Sequence, residues 1–172
     1  DSEGPALLET MAAFPCDWKR IERVDRELTA LKPSSETRTS SLSLGLRLLK
    51  TCIELYPGRG LEDLLASIES DRCRGNLAIV HGAVFSVLGI GEREALLAFA
   101  YSRLSGATSA ALRLARVGQQ EMQQVLKDVL ARVPEAVDDI LERPVQSLSS
   151  FVPLLDVCQM EHRHLYSRLF RS

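Results

Sequence analysis

The stretch PSSETRTSSLSLGLRLLKTCIELYPG, residues 33–58, decides the fold of this chain. Its apolar residues recur with the spacing of one face of an α-helix. They are Leu42, Leu46, Leu49, Ile53 and Tyr56. Ser35 offers a side-chain oxygen to the unpaired amides of a helix start, and Glu36 places a negative charge near its positive end. Pro57 and Gly58 end the pattern, so the sequence predicts an amphipathic helix between these signals.

Gly45 lies in the middle of this predicted helix, where glycine costs about 1 kcal/mol relative to alanine. A close approach by the backbone of another element would justify that cost, since glycine has no side chain to keep the other backbone away. We therefore expect another element to approach the helix at Gly45.

The rest of the chain is also dominated by helical patterns. Further helices are predicted at 6–14, 18–31, 61–68, 77–90, 92–115, 119–133, 135–141 and 151–170. The segment 77–90 is apolar nearly all round, and we predict a buried helix because no other segment looks like a strand partner. In 92–115, one face is formed by Leu97, Tyr101, Leu104, Ala111 and Ala115. The sequence predicts an all-α, single-domain compact bundle of about eight helices over residues 1–172.

Composition argues against several classes of protein. The net charge is -2, from 21 basic and 23 acidic residues, so no large basic field is available to bind nucleic acid. No apolar run approaches the roughly 20 residues of a membrane span. The four cysteines show no CxxC pairing, which favours reduced thiols and a cytoplasmic protein.

The sequence has no common catalytic motif and few candidate metal ligands. The chain has no GxSxG, HExxH or GxxxxGK[ST] motif, so we expect no enzyme. Cys158 and His162 are four residues apart on a predicted helix, with His164 close by, and these side chains bind zinc, nickel or copper. A closed site needs about four ligands, so no stable metal site is predicted. His81 is expected to be a hydrogen-bonded core histidine.

The last residues combine apolar and cationic side chains at helical spacing. His162, Leu165 and Leu169 fall on one face, with Tyr166 and Arg168 close to it. Arginine and tyrosine often anchor protein interfaces. The residues alone leave two alternatives open: a terminal helix packed on its own core, or a surface buried by a partner.

Four stretches, in order, resemble the urease accessory protein family UreF. They are ETRTSSLSLGLRLLK, HGAVFSVLGIGEREALLAFAYSRLSGATSAALRL, RVGQQEMQQVL and the ending DVCQMEHRHLYSRLFRS. The resemblance covers about residues 34–172. The chain departs from the family in lacking its usual N-terminal segment, which suggests a fragment, and in carrying Met122 where the family has a glycine.

The resemblance implies an all-helical accessory protein without a stably bound cofactor. Such proteins dimerise in the cytoplasm, bind UreD/UreH and recruit the GTPase UreG, so that the complex inserts nickel into apo-urease. It implies that the tail 158–172 binds UreD/UreH through His162, Leu165, Tyr166, Ser167, Arg168, Leu169 and Phe170. It also implies a region that faces the dimer and the GTPase, formed by Glu36, Arg38, Gly45, Gly118 and Gln119.

Two other functions remain open at this point. A helical regulator could act directly on a GTPase through an arginine finger, although no arginine can be placed against a phosphate from sequence. A metallochaperone could hold nickel itself through Cys158, His162 and His164.

Overall fold

The computed structural model describes residues 2–32, 34–114, 117–142 and 148. These residues form eight helices and no strand, which confirms the all-α prediction. The helices are α1 (Glu3–Ala13), α2 (Trp18–Ala30), α3 (Ser35–Leu55), α4 (Leu61–Glu69), α5 (Leu77–Leu88), α6 (Glu92–Leu114), α7 (Gln119–Leu130) and α8 (Val133–Glu142). The helix predicted at 151–170 lies outside the described residues.

Local chemistry explains where several helices begin and end. The cap of α3 is Ser34, one residue before the predicted Ser35, and its Oγ accepts a hydrogen bond from the Thr37 amide at 3.3 Å. Asp17 caps α2 in the same way, through the Arg20 amide at 3.1 Å. Helix α5 ends at Gly89, whose φ of 67° is left-handed and suits glycine.

Three predicted boundaries are wrong by a few residues. Helix α1 begins at Glu3, earlier than predicted. Helix α7 ends at Leu130, and α8 begins at Val133 with Pro134 in its first turn. Proline lacks an amide proton and has a helical φ, so it fits the start of a helix rather than the end of the preceding one.

The chain divides into two compact units. Unit 1 contains α1 to α5 within Asp1–Gly89, and unit 2 contains α6 to α8 within Ile90–Pro144. The single domain expected over residues 1–172 stays a prediction.

Helix α5 forms the centre of unit 1 and packs against both α1 and α3. Seven of its residues are buried, as predicted for an apolar helix. These are Leu77, Ala78, Ile79, Val80, Gly82, Ala83 and Val84. A side chain at Gly82 would meet the Leu7 carbonyl oxygen at 2.7 Å, so α1 approaches α5 at backbone distance.

Helix α3 makes the second close approach, at Gly45. A Cβ atom there would lie 2.2 Å from the Gly75 carbonyl oxygen and 3.2 Å from the Leu77 nitrogen. The expectation of a close backbone contact at Gly45 is therefore confirmed. The contact lies against the segment that leads into α5.

This contact also corrects the predicted face of α3. The helix buries Ser41, Gly45, Leu49 and Cys52, and only Leu49 belongs to the predicted stripe. Gly45 faces the neighbouring backbone, because only a residue without a side chain leaves room for it, and Leu42 and Leu46 of the predicted stripe are half-buried. Apolar periodicity could not find this face, since serine and glycine do not count toward it.

The face of α6 named from the sequence is not the face that unit 2 buries most deeply. Unit 2 buries Ala95, Leu96 and Phe99 of this helix, whereas Tyr101 of the predicted face is 55% exposed. Small residues follow one another through the second half of the helix, so its sequence gives little contrast between faces.

A buried carboxylate organises the segment that precedes α5. Asp25 of α2 is fully buried. Its Oδ2 accepts hydrogen bonds from the amides of Arg74 and Gly75, the latter at 2.8 Å. Its Oδ1 accepts from the Asn76 amide at 3.2 Å and from the Asn76 side chain at 2.6 Å. These bonds satisfy the amides of a partly buried loop, which no helix or strand pairs.

Asn76 extends this contact into a polar network. Its Oδ1 accepts from Lys32 Nζ at 3.0 Å and from Ser41 Oγ at 3.2 Å. Lys32 is itself buried, and its Nζ lies 3.0 Å from the Glu3 carboxylate. The network thus links the start of α1, helix α2 and the residue Lys32 that follows it, helix α3, and the start of α5. Each charged group in it lies beside an opposite charge or a polar group, as buried charges require.

Unit 2 has a smaller core, which includes Phe99, Met122, Leu126 and Val137. On the surface of unit 2, Arg93 of α6 forms an ion pair with Asp138 of α8. The Arg93 Nε donates a hydrogen bond to the Asp138 carboxylate at 2.9 Å. That hydrogen bond lowers the pKa of Asp138 below its ordinary value.

We predict that Gly45→Ala destabilises the protein by about 1–3 kcal/mol or more, because the Gly75 backbone leaves no room for a methyl group. Gly106→Ala is the matched control, since nothing lies within 4 Å of a Cβ at this helical position. It should be neutral or stabilise by up to about 1 kcal/mol through helix propensity. Urea unfolding followed by circular dichroism measures both, and equal effects would contradict the close contact.

Candidate functional site

Glu36 lies in the first turn of α3 and organises the connection from α2. Its carboxylate accepts hydrogen bonds from Ser34 Oγ at 3.0 Å and from Ser35 Oγ at 2.9 Å. Glu36 is half-buried. A negative charge at this place also stabilises the positive end of α3.

Arg38 binds the connection between α2 and α3 at the end that follows α2. Its guanidinium donates a hydrogen bond to the backbone carbonyl of Lys32, just after α2. The Lys32 side chain enters the buried network described above. The region formed by Glu36 and Arg38, here called the α2–α3 corner, is therefore built directly on that network.

The other residues of the predicted dimer and GTPase region are placed differently. Gly45 is buried inside unit 1, where it serves packing against the backbone of 75–77. Gly118 is the exposed cap residue of α7, and Gln119 is the exposed first residue of that helix in unit 2. Glu36 and Arg38 therefore both contact the connection between α2 and α3, and their predicted contacts with a GTPase or a second copy stay predictions.

Large apolar side chains at the surface were missed by the sequence analysis. On α3 and directly after it, these are Leu44, Leu55 and Tyr56. Leu44 and Leu55, with Leu48 between them, fall at i, i+4 and i+11, which is itself a helical spacing. Helix α3 therefore carries leucines on a flank that its own unit leaves exposed, as expected for a helix with a further partner.

The cysteine and histidine side chains of the described residues form no metal site. No three His, Cys, Asp or Glu side chains cluster there. Burial raises the pKa of the Cys52 and Cys73 thiols, which disfavours the thiolate that metals bind. His81 is half-buried, with Nδ1 2.9 Å from the Leu77 carbonyl oxygen, so it has the hydrogen-bond partner predicted for it.

The predicted tail site and the candidate metal ligands lie outside the described residues. The tail residues are His162, Leu165, Tyr166, Ser167, Arg168, Leu169 and Phe170, and the candidate ligands are Cys158, His162 and His164. Their roles stay predictions. Within residues 2–142, apart from the gaps given above, no helix has the length and apolar character needed to span a bilayer.

Comparison with known proteins agrees with the resemblance found in the sequence. The UreF family model matches residues 1–130. A urease accessory protein UreF of Actinobacillus pleuropneumoniae serotype 5b is 30% identical over 156 residues, which cover 91% of this chain and 69% of the relative. A UreF protein of Bacillus sp. strain TB-90 is 30% identical over 88% of this chain and 67% of its own length. This extent of similarity shows that the chain belongs to the UreF family.

Proposed function

We propose that this protein is a urease accessory factor that acts as a scaffold in urease maturation. Its membership of the UreF family, shown by the match over residues 1–130, carries this proposal. Several relatives bear the name urease accessory protein UreF. In this function the chain binds other proteins and leaves catalysis to them.

Two features of the described residues support a scaffold. The buried network fixes four helical segments of unit 1 relative to one another, which gives a rigid platform. Exposed leucines on α3 and an exposed Tyr101 on α6 supply the apolar side chains that protein interfaces use. Rigid elements with exposed apolar faces bind partners at a low cost in conformational entropy.

We propose that the chain acts as a cytoplasmic homodimer bound to UreD/UreH, UreG and apo-urease. The tail 158–172 binds UreD/UreH, and the α2–α3 corner faces UreG. Nickel is the cargo of the complex rather than a resident cofactor of this chain. The tail combines Tyr166 and Arg168 with apolar side chains, which are the residue types that anchor such contacts.

The tail is tested by capture of purified UreD/UreH on the tagged chain. We expect residues 1–172 to capture it and a chain ending at Val157 to lose at least about tenfold in affinity, because the anchor residues are removed. The substitution Tyr166→Ala is the milder variant, and Arg163→Ala is its matched control next to the proposed contact. Circular dichroism checks that each variant folds. Equal capture by the full and shortened chains would contradict the proposed tail site.

The α2–α3 corner is tested separately, by recruitment of UreG to the complex with UreD/UreH. Arg38→Ala removes the hydrogen bond to the Lys32 carbonyl and loosens the corner, so we expect UreG binding to fall several-fold. Arg47→Ala is the matched control, since Arg47 is exposed on the same helix. UreD/UreH capture should stay unchanged in both variants. Equal UreG binding by Arg38→Ala and Arg47→Ala would contradict the assignment of this corner.

A further inference from the structure

One side of α3 carries an open row of leucines, here called the leucine flank and formed by Leu44, Leu48 and Leu55. The three residues fall within about 40° of one another around the helix, so they form one continuous row. Leu44 is 41% exposed and Leu55 is 65% exposed, whereas Leu48 is half-buried. Thr51 is also exposed and completes the row without adding a charge. The described helices of unit 1 therefore leave an apolar row uncovered.

The sequence continues after the last described helix, α8, with a segment that needs cover of its own. This segment, residues 151–157, is here called the anchor segment. Five of its seven residues are apolar, and only Asp156 is charged. One face of the helix predicted there carries Phe151, Leu154 and Leu155. Apolar side chains at this density are normally buried in folded proteins.

We propose that the anchor segment packs on the leucine flank of its own chain and thereby holds the tail 158–172 at unit 1. In this contact Phe151 and Leu155 lie against Leu44 and Leu48. Both pairs have a spacing of four residues, and rows of that spacing interdigitate in the commonest packing of two helices. The cationic residues of the tail come after the contact and stay outside it.

Connection through the same chain favours this occupant over a separate protein. A linked segment meets its site at an effective concentration on the order of mM, so a small apolar contact is enough to hold it. The leucine flank is such a small site, since it consists of three leucines beside one threonine. A separate partner typically covers about 800 Å² on each side of an interface, which a single helical row does not offer.

This inference deepens the tail part of the proposed function and rests on it only for the role of the tail. It separates two parts of the C-terminal sequence: the anchor segment binds unit 1, and the tail binds UreD/UreH. The contact with α3 forms without a partner, so it is measured on the isolated chain. Loss of this contact with UreD/UreH capture retained would overturn the inference alone, whereas the capture experiment above tests the tail site itself.

Hydrogen exchange followed by mass spectrometry tests the contact in the full chain. We expect the amides of the anchor segment to exchange at least about tenfold more slowly than in an unstructured peptide, since a packed helix protects them. Leu44→Asp should remove most of this protection, because it would place a carboxylate without a partner in an apolar contact. Unit 1 should stay folded, since Leu44 is exposed in it. Ser43→Asp is the matched control, because it adds the same charge at an exposed position on another side of α3.

The reverse experiment measures the cover of the leucine flank itself. The thiol introduced by Leu44→Cys should react with iodoacetamide at least about tenfold faster when Leu155→Asp is also present, because the changed anchor segment then leaves the flank open. Cys16 is the internal control, since this exposed thiol should react equally in both chains. Peptide mass spectrometry distinguishes the two thiols.

The proposal is supported by protection that falls in Leu44→Asp but not in Ser43→Asp, together with faster labelling in the reverse experiment. An anchor segment that exchanges like an unstructured peptide in the parent chain would overturn it. So would equal protection in Leu44→Asp and the parent chain, or equal labelling with and without Leu155→Asp. Protection that rises with protein concentration, or that needs added UreD/UreH, would assign the flank to a second copy or to a partner and would overturn the proposal as well.

Discussion

The carboxylate of Asp25 is the contact on which unit 1 depends. Asp25 is fully buried, and its carboxylate accepts hydrogen bonds from the consecutive backbone amides at 74–76, in a loop whose residues Cys73, Gly75 and Asn76 are buried. Each of these amides would cost about 1–3 kcal/mol if it were left without a partner. The bonds hold the loop against α2, and the loop in turn presents the backbone that Gly45 of α3 contacts.

The same network connects the core to the surfaces proposed for function. Asn76 bonds both Asp25 and Lys32, and Arg38 bonds the carbonyl of Lys32. The α2–α3 corner is therefore positioned by its contact with the buried polar network. A scaffold gains from this arrangement, because a partner then binds a preformed shape and loses little entropy in ordering it.

The sequence predicted the helical class, most helix positions and the close contact at Gly45. It did not predict which face of α3 or α6 is buried, because small residues mark those faces and carry no apolar signal. It also missed Asp25 and Asn76, which are far apart in the chain and meet only through tertiary structure. Glu36 and Arg38 came from resemblance to the family, whereas their place beside the network came only from the structure.

We expect the non-helical loop that Asp25 holds to be among the most stable parts of unit 1. Hydrogen exchange of the Gly75, Asn76 and Leu77 amides, measured by NMR, tests this most directly. Because these amides donate to buried Asp25 and Ser41 oxygens, we expect protection close to that of global unfolding. Exchange as fast as that of an unstructured peptide would contradict the account, since the loop would then open without loss of the core.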